Sequence, residues 1–90
     1  MPVARALEEF AAAIGIDGAL KRYSVITGWE ETVGEQIARV AHPQRLENGV
    51  LYVSVASAPW RAELTLKRLE IIRKLNEAAG STVVKDIRFR

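Results

Sequence analysis

The 90-residue sequence predicts an α+β fold in the order helix, helix, β-hairpin, helix, strand, with a three-stranded mixed sheet that carries its helices on one face. Three observations lead there. Amphipathic patterns with helical spacing run up to His42-Pro43 and again onward from Ser57-Ala58-Pro59-Trp60. Between them Asn48-Gly49 separates two short runs of strand character, the strongest local signal for a two-residue hairpin. A further alternating run closes the sequence from Val83 to Arg90. One domain over residues 1–90 accommodates these elements, near the size at which a single core suffices without staples.

Leu7, Phe10 and Ile14 share one face of a first helix beginning at Val3, which Gly15 and Gly18 break. A second, longer helix aligns Leu20, Tyr23, Ile26 or Thr27, Trp29, Val33, Ile37 and Val40. Gly28 and Gly34 sit inside it, each costing up to about 1 kcal/mol relative to alanine, so this helix is expected to pack closely against the sheet there or to kink. Ala41-His42-Pro43 ends it, because the residue before proline avoids the α region. Gln44 to Glu47 and Val50 to Ala56 then pair across the turn, with Glu47 opposite Val50, Leu46 opposite Leu51 and Arg45 opposite Tyr52. That register puts Leu46, Leu51, Val53 and Val55 on the core side.

Ser57 is the expected N-cap of the next helix, with Pro59 in its first turn. Trp60, Leu64, Ile71, Leu75 and Ala78 form one buried face, Leu66, Leu69 and Ile72 widen it, and Gly80 stops the helix. So wide a stripe predicts either deep burial or a bend near Thr65. In the tail, Val83, Ile87 and Phe89 point inward and Asp86, Arg88 and Arg90 outward, with Lys85 the break in parity. Joined to the hairpin through a helix, this third strand is expected to run parallel to its neighbour.

Composition narrows the function. The absence of cysteine excludes disulfides, zinc ribbons and thiol catalysis, and a single histidine removes the usual ligands of most metal sites. Neither G-x-x-x-x-G-K nor G-x-G-x-x-G occurs. A protein without metal or cofactor, and not an enzyme, is expected. No apolar run approaches the roughly 20 residues of a membrane helix, and Met1-Pro2-Val3-Ala4-Arg5 lacks signal-peptide character, so a cytoplasmic protein with no membrane contact is expected. A net charge of +2 permits nucleic-acid contact, and the placement of the charges matters more than their sum.

The uncovered sheet face should carry Arg45, Tyr52, Ser54, Arg88 and Arg90. Guanidinium groups neutralise phosphates while an aromatic face stacks a base for roughly 1 to 3 kcal/mol, so this pattern points to single-stranded nucleic acid. The ordinary alternative is a solvated strand, and Glu47 and Asp86 dilute the field. Arg61 and Arg68, with Arg73, extend a basic rim from the long helix; Lys21, Arg22 and Arg39 do so from the second. Glu63, Lys67, Glu70, Lys74 and Glu77 alternate in sign, as on a solvated face held by pairs of about 0.2 to 0.5 kcal/mol each. Trp29 and Trp60 read as core anchors, and His42 as a helix-end residue with no partner for catalysis. Glu30, Glu31 and Glu35 read as solvent-facing carboxylates.

The string Trp29-Glu30-Glu31-Thr32-Val33-Gly34-Glu35-Gln36-Ile37-Ala38, then His42-Pro43 and Leu46-Glu47-Asn48-Gly49-Val50-Leu51-Tyr52-Val53, resembles the DciA family, long catalogued as a domain of unknown function. Ser57-Ala58-Pro59-Trp60-Arg61-Ala62-Glu63-Leu64, Leu75-Asn76 and Asp86-Ile87-Arg88-Phe89-Arg90 continue the likeness over most of the chain. The resemblance implies a KH-like domain of the type II order and a non-enzymatic role in bacterial DNA replication. There the family is implicated in loading or recruiting the replicative DnaB-type helicase, and its KH-like domain is associated with DNA binding. The chain lacks the Gly-x-x-Gly loop with which KH domains clamp a nucleic-acid backbone, so that mode does not carry over. Many members carry a further segment beside the domain, whereas Arg90 follows at once on the expected last strand. Such a minimal form is expected to bind nucleic acid alone, or to hold a partner through the domain itself.

Single-stranded or duplex DNA is therefore the first expected partner and the helicase the second. RNA stays beside DNA, since both expose phosphates and stackable bases. The alternatives are an RNA-binding KH-like protein without helicase loading and a protein-interaction or self-associating module using an apolar patch or the sheet edges. A small hydrolase or transferase would need a base and nucleophile pair that the sequence does not offer.

Overall fold

The computed structural model describes residues 17–90, and the helix expected from Val3, with Leu7, Phe10 and Ile14 and its break at Gly15, lies outside them. The long stripe through Trp29 is three helices rather than one: α1 (Asp17–Thr27), α2 (Trp29–Val33) and α3 (Glu35–Ala38). Gly18 lies inside α1, so it does not break a helix there. The breaks fall at Gly28 and Gly34, which confirms the kink and corrects the idea of close packing on the sheet. Gly34 has φ 93° and ψ 160°, a region essentially reserved for glycine, yet a Cβ there would meet nothing within 4 Å. At Gly28 a Cβ would press on the Ser24 carbonyl oxygen at 2.9 Å, which belongs to α1 and not to the sheet.

Trp29 is the anchor expected of it. Its ring is buried and its indole Nε1–H donates to the Ala41 carbonyl at 2.9 Å, tying α2 to the first residue of β1 (Ala41–Glu47). That strand starts three positions earlier than the proline suggested, so His42 and Pro43 are strand residues and not a helix end. Proline is tolerated because β1 is an edge strand and because a bulge lies between Pro43 and Arg45. The bulge leaves Gln44 without a paired residue and resets the parity, so that Ala41 and Leu46, five positions apart, both face the core.

Asn48 (φ 52°) and Gly49 (φ 80°) form the turn into β2 (Val50–Val55), as a type I′ reversal requires at both positions. The pairs Glu47 with Val50, Leu46 with Leu51 and Arg45 with Tyr52 are those read from the sequence. Ser57 caps the following helix, its Oγ accepting the Trp60 N–H at 3.4 Å. That helix is two, α4 (Ala58–Leu66) and α5 (Arg68–Ala79), joined at Lys67. Leu64, Ile71 and Leu75 face the core. Leu66 and Leu69 do not: they stand more than about 130° around the helix from Leu64 at 100° per residue and are 84% and 75% exposed. Tyr23 on α1 is exposed as well, and Ala78 yields its place to the half-buried Ala79.

Gly80 ends α5 in the left-handed conformation at φ 75°. The next residues do not yet form a strand. Asn76 holds them, its Oδ1 accepting the N–H groups of Val83 at 3.0 Å and Val84 at 2.8 Å and its Nδ2 donating to the Val84 carbonyl at 2.9 Å. This clamp buries Val84 in place of the expected Val83, which is only half-buried. β3 (Asp86–Phe89) then runs parallel to β2, with Leu51 beside Ile87 and Tyr52 beside Arg88. The sheet order β1-β2-β3 puts β2 in the middle, Leu51, Val53 and Ile87 face the helices, and among the described residues no helix covers the other face. The chain is thus α+β with a mixed three-stranded sheet, and among the described residues no helix is long and apolar enough to cross a membrane.

Gly34→Ala should lower stability by about 1 to 3 kcal/mol through its backbone geometry alone. Gly18→Ala, inside α1, should be neutral or slightly stabilising, and urea unfolding of the two variants measures the contrast.

Candidate nucleic-acid interface

Tyr52 stands at the middle of the uncovered face because β2 is the central strand and even-numbered residues of β2 point away from the helices. Its cross-strand partners are Arg45 on β1 and Arg88 on β3. Arg90 extends β3 by one step, its N–H donating to the Val53 carbonyl at 2.9 Å and its carbonyl accepting the Val55 N–H at 2.7 Å. Arg45 and Arg90 fold their guanidinium groups over the Tyr52 ring, with Cζ at 4.3 and 4.8 Å from the ring centroid. Both distances lie well inside the roughly 6 Å of a cation–π contact.

Beside the ring is a shallow hollow of about 280 Å³ lined by Gln44, Arg45, Tyr52, Val53, Ser54 and Arg90. The bulge creates it by turning Gln44 out of the ladder. Among the described residues no carboxylate lines it. The acidic groups of the face lie toward the turn: Glu47 Oε2 is 3.4 Å from Arg45 Nε, and Asp86 is shared by Arg88 at 3.5 Å and Arg68 at 3.7 Å. These pairs are exposed or half-exposed, where an ion pair contributes about 0 to 1 kcal/mol and gives way readily to a phosphate.

Four of the six expected site residues, Arg45, Tyr52, Arg88 and Arg90, therefore share one surface. The other two stand apart from each other, Arg61 away from this surface and Arg68 at its edge. Arg61 on α4 is half-buried, its Nη1 donating to the Val55 carbonyl at 3.2 Å at the far end of β2. Arg68 on α5 reaches the opposite end, where Asp86 holds it beside Arg88. Arg73 is paired to Glu77 at 2.8 Å and Arg39 to Glu35 at 2.7 Å. Lys67 with Glu63 and Lys74 with Glu70 form the solvated pairs expected on the helix. Lys21 and Arg22 line a separate hollow of about 530 Å³ with Asn48, Gly49 and Ser81. Trp60 is half-buried against the core, while His42 is exposed opposite Ser54.

Gln44 and the double role of Asp86 are absent from the sequence expectation. A proline inside a strand pattern signals a bulge, which would have singled out Gln44. Asp86 gave no signal, because its second partner arrives from α5 across the parallel crossover.

The family model described as Dna[CI] antecedent, DciA matches residues 2–89. A UPF0232 protein of Mycobacterium tuberculosis is 31% identical over 88 residues, which cover 98% of this chain and 47% of the relative. One from Mycobacterium ulcerans is 30% identical over the same length and coverage. One from Rhodococcus jostii is 38% identical over 66 residues, 73% of this chain and 35% of the relative. The chain spans about half or less of the length of these relatives.

Asp86→Asn should release both Arg68 and Arg88 and remove a negative charge from the face. The variant is expected to elute from an immobilised polyanion such as heparin at higher salt than the parent, with stability changed by no more than about 1 kcal/mol.

Proposed function

The chain belongs to the DciA family, and on that premise we propose that it is a non-enzymatic adaptor that binds single-stranded DNA through its uncovered sheet face and assists loading or recruitment of the replicative DnaB-type helicase in bacterial DNA replication. The observation that carries the DNA half is the gathering of Arg45, Arg88 and Arg90 around Tyr52 on a face that no helix covers among the described residues. Guanidinium forks match phosphate oxygens bidentately, and three on one short sheet span adjacent phosphates of an extended strand. The helicase half rests on the family, together with the absence of any base and nucleophile pair in the sequence reading.

A second reading, docking of a protein partner, is favoured by Leu66 and Leu69, which are exposed three positions apart on either side of the Lys67 break. It is compatible with the first, since these leucines belong to the helical layer and the arginines to the sheet. Leu66→Ser with Leu69→Ser should leave DNA affinity unchanged.

Titration of a fluorescent single strand across salt tests the DNA half. Three phosphate contacts give a slope of log affinity against log salt near −2, at about −0.7 per phosphate on a single strand. Arg45→Ala, Arg88→Ala and Arg90→Ala combined should weaken binding at low salt by more than about tenfold and flatten that slope. Binding that is absent, indifferent to salt or unchanged in the triple variant contradicts the assignment, and stronger binding to RNA of the same sequence would redirect it to RNA.

A further inference from the structure

We propose that this face recognises the phosphodiester backbone alone, with Tyr52 acting as a buttress for two guanidinium groups and not as a platform for a base; the inference rests on the nucleic-acid reading above. A base that stacks on tyrosine needs the face of the ring. Here Arg45 and Arg90 lie over the ring with Cζ at 4.3 and 4.8 Å from its centroid, and a guanidinium and a base do not occupy the same ring face. The two arginines reach Tyr52 from different neighbours of the central strand, Arg45 from β1 and Arg90 from the end of β3.

Their backbones are fixed as well as their tips. Arg45 is paired in register with Tyr52, and Arg90 is held by backbone hydrogen bonds of 2.9 and 2.7 Å to Val53 and Val55. Long side chains held in this way lose less freedom when an anion arrives. The two held guanidinium groups are also the ones best placed to take a phosphate. Among the described residues Arg90 forms no ion pair, and Arg45 has only the exposed Glu47 at 3.4 Å, whereas Arg88 and Arg68 are both engaged with Asp86.

The hollow between them suits an anion. Among the described residues its polar lining is two guanidinium groups, the Gln44 carboxamide, the Ser54 hydroxyl and the Tyr52 phenol, with no carboxylate. Its volume of about 280 Å³ falls just below the roughly 300 to 1,000 Å³ of small-molecule pockets, and it opens broadly to solvent. Phosphates seated along it accept from Arg45 or from Arg90, with Gln44 and Ser54 as further donors.

The decisive comparison uses two fluorescent strands of equal length, one of thymidines and one wholly abasic, titrated with the unmodified chain, with Tyr52→Phe and with Tyr52→Leu. The abasic strand is expected to bind within about threefold of the thymidine strand. Tyr52→Phe should stay within about twofold of the parent on both strands, and Tyr52→Leu should weaken both by the same factor, about fivefold or more, as two cation–π contacts are lost. An abasic strand weaker by about fivefold or more, the cost of even one lost stacking contact, overturns the proposal without reference to any variant. So does a Tyr52→Leu protein that binds either strand as well as the parent. Binding to neither strand by the unmodified chain would sink the nucleic-acid reading itself, which separates the two failures.

Discussion

The carbonyl oxygen of Gly49 fixes both neighbours of the central strand. It sits in the turn that reverses β1 into β2, and it accepts the backbone N–H groups of Lys85 at 2.7 Å and Asp86 at 3.1 Å, where β3 begins. A side chain at this position would be strained at φ 80° and would meet Lys85 Cδ at 2.9 Å. One glycine therefore sets the antiparallel and the parallel register together. A slip of one residue would carry Leu51, Val53 and Val55 out of the core, at about 1.5 to 3 kcal/mol for each side chain. A cation–π contact at an exposed site contributes about 0.5 to 1 kcal/mol. The placement of Arg45, Tyr52, Arg88 and Arg90 on one face is consequently inherited from the core on the other side of the sheet, and the ring contacts then set only the guanidinium tips.

The bulge at Gln44 reconciles two demands on β1. Trp29 needs the Ala41 carbonyl at the base of the strand, and Ala41 must be buried beside Val55. Leu46 must also be buried, beside Leu51 at the turn. With strict alternation these two residues would lie on opposite faces. One extra residue removes the conflict, and the displaced Gln44 opens the donor-lined hollow next to Tyr52. Packing on the helical side thus shapes a feature of the exposed side.

Signals that act through local backbone chemistry were legible in the sequence. Asn48-Gly49, the Ser57 cap and the Gly80 stop each follow from residues within a few positions of one another. What failed to show depended on distant partners. Val84 displaces Val83 from the core because Asn76, on another element, clamps their amides. The early start of β1 depends on an acceptor for Trp29, and periodicity alone does not reveal that bond. Leu66 and Leu69 looked like core because apolar type was read without angular position. Of the candidate site, the four sheet residues followed from strand parity, whereas the positions of Arg61 at the Val55 carbonyl and of Arg68 at Asp86 required the crossover to be placed.

The proposed function divides the work between two layers. The sheet presents a face on which Arg45 and Arg90 lie over the Tyr52 ring, and the helical layer leaves Leu66 and Leu69 exposed. An adaptor in helicase loading must hold nucleic acid and protein at once, and separate faces permit that. Backbone amide spectra of the isotopically labelled chain, recorded as a single strand is added, test this arrangement most directly. Shifts are expected to concentrate at Arg45, Tyr52, Arg88 and Arg90, with Leu66 and Leu69 unmoved. Shifts confined to α4 and α5, with the sheet residues unaffected, would contradict it.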